Sequence, residues 1–269
     1  MPIAPDVGVA LRLAMRARFL VMSGWVAVVV VIVSYLAAQF SGRQPATVAL
    51  DAGLSMIRLF LPVVGVLLLQ ELLSREFDRR LFLSSLTYPR PRHFFLLGRL
   101  CAVLLLLGGL LLVLAGALAG VVGWVASGYE QATPVALGLP YWISIAFVMV
   151  DLFVLVALGT LLAVVASTPS FVLIGTLGFM LVARSFSAIV ALLQRESWLV
   201  EGAETYQSSL GLLGFLLPDL AALDVRAIAL YGQMDLLPQQ WAWHLATAVA
   251  YGVALTALAV WALARKRFA

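Results

Sequence analysis

Asp151 and Arg184 are the residues best placed to do chemistry, because each interrupts a long apolar run, VMVDLFVL and LVARSFS. A charge near the centre of a bilayer costs at least about 3 kcal/mol on insertion scales. Two opposite charges at one depth lower that cost by pairing. Each residue lies about ten positions from the same end of its run, so at about 1.5 Å of rise per residue two antiparallel neighbours bring both to similar depth. An intramembrane Asp151–Arg184 contact is therefore expected, either as a structural tie or as a wall of a substrate path.

Other chemistries find little support. His93 and His244 fall at opposite ends of the expected topology and cannot share a metal. Cys101, alone of its kind, excludes an intrachain disulfide and a cysteine metal cluster, and it reads as a small buried apolar side chain. There is no GxxxxGK[ST] phosphate loop, no HExxH, no GxSxG and no pair of carboxylates on one face. Acids are plentiful only between 194 and 240, where a solvated face accounts for them. Arg58 lies near the end of an apolar run and can snorkel to the headgroups.

The elements that must position these residues follow from composition. The 269 residues are 64% apolar and 11% charged, with a mean hydropathy of +1.07. A soluble domain carries about 25% charged residues, so the chain belongs in a membrane. Six apolar runs predict six transmembrane helices, near 20–40, 53–73, 96–125, 141–166, 171–193 and 241–264. Residues 5–19 mix Val7, Val9, Leu11, Leu13 and Phe19 with Arg12, Arg16 and Arg18, a pattern for an N-terminal interfacial helix. The apolar run behind them is too long for a cleavable signal peptide. Gly116 and Gly120 form a GxxxG spacing that permits close helix approach. The tight turn at 167–170 joins the fourth and fifth runs, with Pro169 suited to start a helix. Residues 194–240 hold apolar stretches too short to span, which read as short re-entrant or interfacial helices.

The most charged stretch, 70–100, puts Arg75, Arg79, Arg80, Arg90, Arg92 and Arg99 among Glu71, Glu76 and Asp78. Together with the N-terminal arginines and Arg265-Lys266-Arg267, twelve basic residues fall on one side of the six runs. Arg43, Arg195 and Arg226 fall on the other, with Arg58 at its edge. The positive-inside rule then places both termini and the segment 71–95 in the cytoplasm, and 194–240 on the outer face. The positive charge marks orientation, which argues against a nucleic-acid partner.

SREFDRRLFLSSLTYPRPRHFFLLGRL resembles the cytoplasmic loop of type-two ATP-binding-cassette (ABC) transporter permeases. Glu76 stands for that family's acid, 81–86 for its short leucine-rich helix, and Pro89, Arg92 and Leu97-Gly98-Arg99 for its closing motif. Arg79 and Arg80 replace the usual Gly-Thr pair, and Arg99 the usual lysine. The layout is similar throughout, including LPDLAALDVRAIALYG before the last run. The resemblance implies a single all-α transmembrane domain with a cytoplasmic coupling helix at 79–86 and short outer helices before the last span. It implies a non-enzymatic permease subunit, an exporter in the bacterial cytoplasmic (inner) membrane, working as a homodimer with two separate nucleotide-binding ATPase subunits. ATP and Mg would bind the partner and no cofactor this chain; membrane lipid is a further partner, and the family admits a periplasmic accessory protein. Glu76, Asp78, Arg79, Arg80, Leu81, Phe82, Ser84, Ser85, Tyr88 and Arg90 would form the ATPase interface. The cavity would lie at the dimer axis, lined by the second and fifth spans.

Two other classes compete. A self-contained secondary transporter would use Asp151 and Arg184 for ion coupling and should carry inverted repeats, which are not visible. A lipid-modifying membrane enzyme would need clustered polar groups at one depth, and only Asp151 and Arg184 qualify.

Overall fold

The computed structural model describes residues 4–16, 19–74, 92–128, 134–166, 168–195 and 218–265. Among these there is no strand. The helices are α1 (Ala4–Arg16), α2 (Phe19–Phe40), α3 (Pro45–Leu69), α4 (Arg92–Ser127), α5 (Leu139–Val165), α6 (Pro169–Arg195), the short α7 (Ala227–Tyr231) and α8 (Trp241–Arg265). A π-helical turn, Gln70–Ser74, prolongs α3, and a single 3-10 turn, Met234–Leu236, precedes α8. Five helices (α2, α3, α4, α5 and α8) are long and apolar enough to cross a bilayer. The chain is an all-α membrane protein. Helix α6 runs for 27 residues from Pro169, which occupies its first turn where a missing N–H costs nothing.

Helices α3 and α5 are the most buried. α3 packs against α2, α4, α5 and α6, while α8 rests along α5. α1 lies against α4 through Ala10 and Ala14, two buried small residues one turn apart. Its other face exposes Arg12 with Val9, Leu13 and Met15, the mixture suited to a headgroup layer.

Lipid tails are as apolar as leucine, so close packing decides which helix faces meet. Here glycines do much of it. A Cβ on Gly53 would clash with Leu118, one on Gly159 would meet Leu69 at 2.7 Å, and one on Gly252 would clash with the Phe153 ring. The GxxxG pair in α4 does not share this role: Gly116 and Gly120 are exposed and have nothing within 4 Å. Cys101, read from sequence as buried, is also exposed. Both lie on a face of α4 that no described helix covers. Gly252→Val should therefore lift α8 from α5 and cost about 1–3 kcal/mol through overpacking. Gly116→Val should change the unfolding temperature in detergent little.

The expected ATPase-interface residues Glu76, Asp78, Arg79, Arg80, Leu81, Phe82, Ser84, Ser85, Tyr88 and Arg90 lie outside the described residues, as do 196–217 of the expected outer-face segment. Residues 218–240 are described. Leu220, Leu223, Val225 and Ile228 are buried against Phe147, Val154 and Leu155 of α5, Met180 and Ala183 of α6, and Ala248 of α8. Residues 218–230 are seated against the bundle, whereas most of 231–240 is exposed.

Candidate functional site

The site begins with a proline. Pro62 lies inside α3, four residues after Arg58. Proline has no N–H, so the Arg58 carbonyl loses its helical donor and needs another. The Arg184 guanidinium supplies it, donating from Nη1 at 3.0 Å. The other terminal nitrogen of Arg184 donates to the Asp151 carboxylate. The structure thus brings Asp151 and Arg184 together, and adds the backbone of α3 as a third member.

Arg58 itself turns inward. Its guanidinium pairs closely with Asp224, lies 3.9 Å from Asp151, and donates to the Leu220 carbonyl at 3.4 Å. This corrects the expectation that Arg58 snorkels to the headgroups. Two carboxylates and a carbonyl inside the bundle replace the solvation that snorkelling would have sought. The solvated-face account of the outer acids fails at Asp224 for the same reason.

The chain of charges continues outward. Arg226 lies 3.4 Å from Asp224 and 2.9 Å from Asp51, and donates to the Ser55 hydroxyl. In order, Asp51, Arg226, Asp224, Arg58, Asp151 and Arg184 alternate in sign. Side-chain exposure falls from 49% at Asp51 through 27% at Asp224 and 10% at Arg58 to 1% at Asp151. Three positive and three negative groups balance, as burial in low dielectric requires. The balance in hydrogen bonds is incomplete. Asp151 Oδ1, Arg58 Nε and Arg184 Nε are buried with no partner among the described residues.

Local backbone structure presents Asp224 and Arg226 to the helices. Asp219 Oδ1 accepts from the Ala221 and Ala222 amides at 3.0 and 3.2 Å and closes a tight turn. Ser144 of α5 donates to the Val225 carbonyl at 3.4 Å. The Ala136 amide donates to the Ala229 carbonyl at 3.0 Å, which ties α7 to the residues before α5. Gly232, at φ 68°, caps α7 in the left-handed conformation that glycine adopts freely.

Sequence reading of the site named only Asp151 and Arg184. Asp51, Ser55 and Arg58 follow one another at spacings of four and three, which lines one helix face, and that signal was available. Pro62 placed four residues after Arg58 was another.

The opposite end of the bundle holds the root of the 75–91 segment. Gln70 donates from Nε2 to the Pro169 carbonyl at 2.7 Å, joining the π-helical turn to the first residue of α6. That turn also touches α1 and α5. Arg99, in the third turn of α4, is buried, with its guanidinium 5.2 Å from the Phe95 ring centroid. A cavity of 430 Å³ between α2 and α4 is lined by Tyr35, Gln39, Ser41, Pro45 and Trp124, none of them in the charged chain. No cluster of metal-ligating side chains occurs among the described residues. No protein-family model matches the chain, and no curated protein does.

Proposed function

We propose that this chain is the membrane-spanning permease subunit of an ATP-driven ABC exporter in a bacterial inner membrane. It works as a homodimer with two separate ATPase subunits. In this reading α6 is the fifth of six spans, both termini and 71–95 are cytoplasmic, and 194–240 belongs to the outer face. ATP and Mg are held by the partner.

The observation that carries the reading is mechanical. The segment that resembles the family's coupling loop joins α3 and α4, two long helices packed along each other. Its root, Gln70–Ser74, contacts α1, α5 and α6 as well. A displacement applied at Gln70–Ser74 would therefore reach α1, α3, α5 and α6 directly, and α4 through α3. Cytoplasmic Glu76, Asp78, Arg79, Arg80 and Arg90 would guide the ATPase to this root by charge.

Affinity purification of the tagged chain from native membranes in mild detergent tests this. An ATPase subunit should co-purify in equal amount. The double substitution Arg79→Glu, Arg80→Glu should lower its recovery at least about tenfold, equivalent to about 1.4 kcal/mol, while the chain stays monodisperse. Transport by the purified chain without ATP would overturn the proposal in favour of a secondary transporter.

A further inference from the structure

The segment 218–228 is built like an amphiphile. Its apolar body, Leu220, Leu223, Val225 and Ile228, fills a surface made by Phe147, Val154, Leu155, Met180 and Ala183. Its single inward acid, Asp224, reaches the buried Arg58. An apolar body with one anionic head is also the chemistry of an acidic lipid-like molecule.

Charge balance gives this likeness a consequence. With the segment seated, the six charges cancel. If 218–226 withdraws, Asp224 and Arg226 leave with it. Asp51 stays behind half-exposed, two helical turns (about 10 Å) from Arg58 along α3. The buried remainder is Arg58 and Arg184 against Asp151 alone, with one uncompensated positive charge. Arg58 also loses the Leu220 carbonyl. A desolvated cation without its partner is strongly unfavourable, so the open state needs an anion.

The unpartnered atoms favour one kind of anion. Among the described residues, Arg58 Nε and Arg184 Nε are donors without acceptors, and Asp151 Oδ1 is an acceptor without a donor. A carboxylate could serve the donors but has no proton for Asp151. A phosphate monoester carrying one proton has acceptor oxygens for both guanidinium groups and an O–H for Asp151 Oδ1.

We propose that the charged chain is an anion-exchange latch. The phosphate monoester head of an amphiphile displaces Asp224 from Arg58, its tail takes the surface vacated by Leu220 and Leu223, and 218–226 is released from the bundle. The latch names the cargo class of the permease proposed above and rests on that reading for its purpose. Its binding chemistry needs only this chain.

The test uses the full-length chain, purified in dodecyl maltoside with Cys101→Ser and Leu223→Cys, because Leu223 is almost fully buried. The labelling rate with a water-soluble maleimide reads release of the segment. Dodecyl phosphate should raise that rate at least tenfold. Dodecylphosphocholine, with the same tail but no free monoester, should not, and neither should inorganic phosphate at equal concentration. Arg58→Gln and Asp224→Asn should both label fast with no ligand, and Arg58→Gln should gain nothing further from dodecyl phosphate. Calorimetric titration of the unsubstituted chain with dodecyl phosphate checks binding independently of the cysteine, and Arg58→Gln should lose it. Equal responses to dodecyl phosphate and dodecylphosphocholine, an equal response to inorganic phosphate, or none to dodecyl phosphate would overturn the latch. The ATPase co-purification is scored separately, so either proposal can fail while the other stands.

Discussion

Replacing Asp151 by leucine is expected to lower stability by about 3–5 kcal/mol, the usual effect of removing one partner from a buried ion pair. The cause is specific. Asp151 is 1% exposed and faces two guanidinium groups, so its loss leaves Arg58 and Arg184 buried with one acid, Asp224, close to only one of them. Thermal unfolding in detergent should show the drop, and the membrane yield should fall with it. The double substitution Asp151→Leu, Arg184→Met should recover part of the loss, because a pair removed together leaves no orphaned charge at that point. Recovery should be incomplete, since the Arg58 carbonyl would again lack a donor opposite Pro62. A single Asp151→Leu change within about 0.5 kcal/mol of wild type, the range of ordinary surface substitutions, would contradict the account.

The second large effect is expected at Arg58. Arg58→Met keeps the apolar stem and removes the ties to Asp224, Asp151 and Leu220. The cost should again be about 3 kcal/mol or more, but its distribution should differ. Asp151 holds helix to helix, whereas Arg58 holds the segment before α8 to α3. Hydrogen exchange should therefore rise first in 219–228, with α4 and α5 little changed. Uniform acceleration across all helices would show that Arg58 supports the whole bundle and has no special hold on the segment.

Part of this site was legible in the sequence. Asp151 and Arg184 stand out because a charge inside a long apolar run has few tolerable positions, and antiparallel neighbours of equal depth supply one. Arg58 did not stand out in the same way. Near the end of an apolar run, an arginine can reach the headgroups or turn inward, and its own helix does not distinguish the two. The deciding partner, Asp224, is 166 residues away in sequence, in a stretch whose other acids give no sign of entering the bundle. The orientation of helix faces was hidden for a related reason. In a bilayer the lipid-facing and core-facing surfaces are both apolar, so the periodicity that marks a soluble core is weak. Cys101 and the Gly116–Gly120 spacing could therefore face either way, and they face outward. The close contacts fall instead at Gly53, Gly159 and Gly252, which carry no short motif. The apolar runs were the most legible feature, because length and hydropathy alone set them.

The central claim is that alternating charges lock the segment before α8 onto the spans through Arg58 and Asp224. A double-mutant cycle measures this coupling directly, with Arg58→Met, Asp224→Leu and the double variant compared by unfolding in detergent. Residues joined in one ion network should be coupled by about 0.5–3 kcal/mol, and this close, partly buried pair should fall in the upper half of that range. The double variant should then be more stable than the sum of the single losses implies. Losses that add to within about 0.5 kcal/mol, as independent sites do, would mean that the two residues do not hold each other and that the latch does not exist.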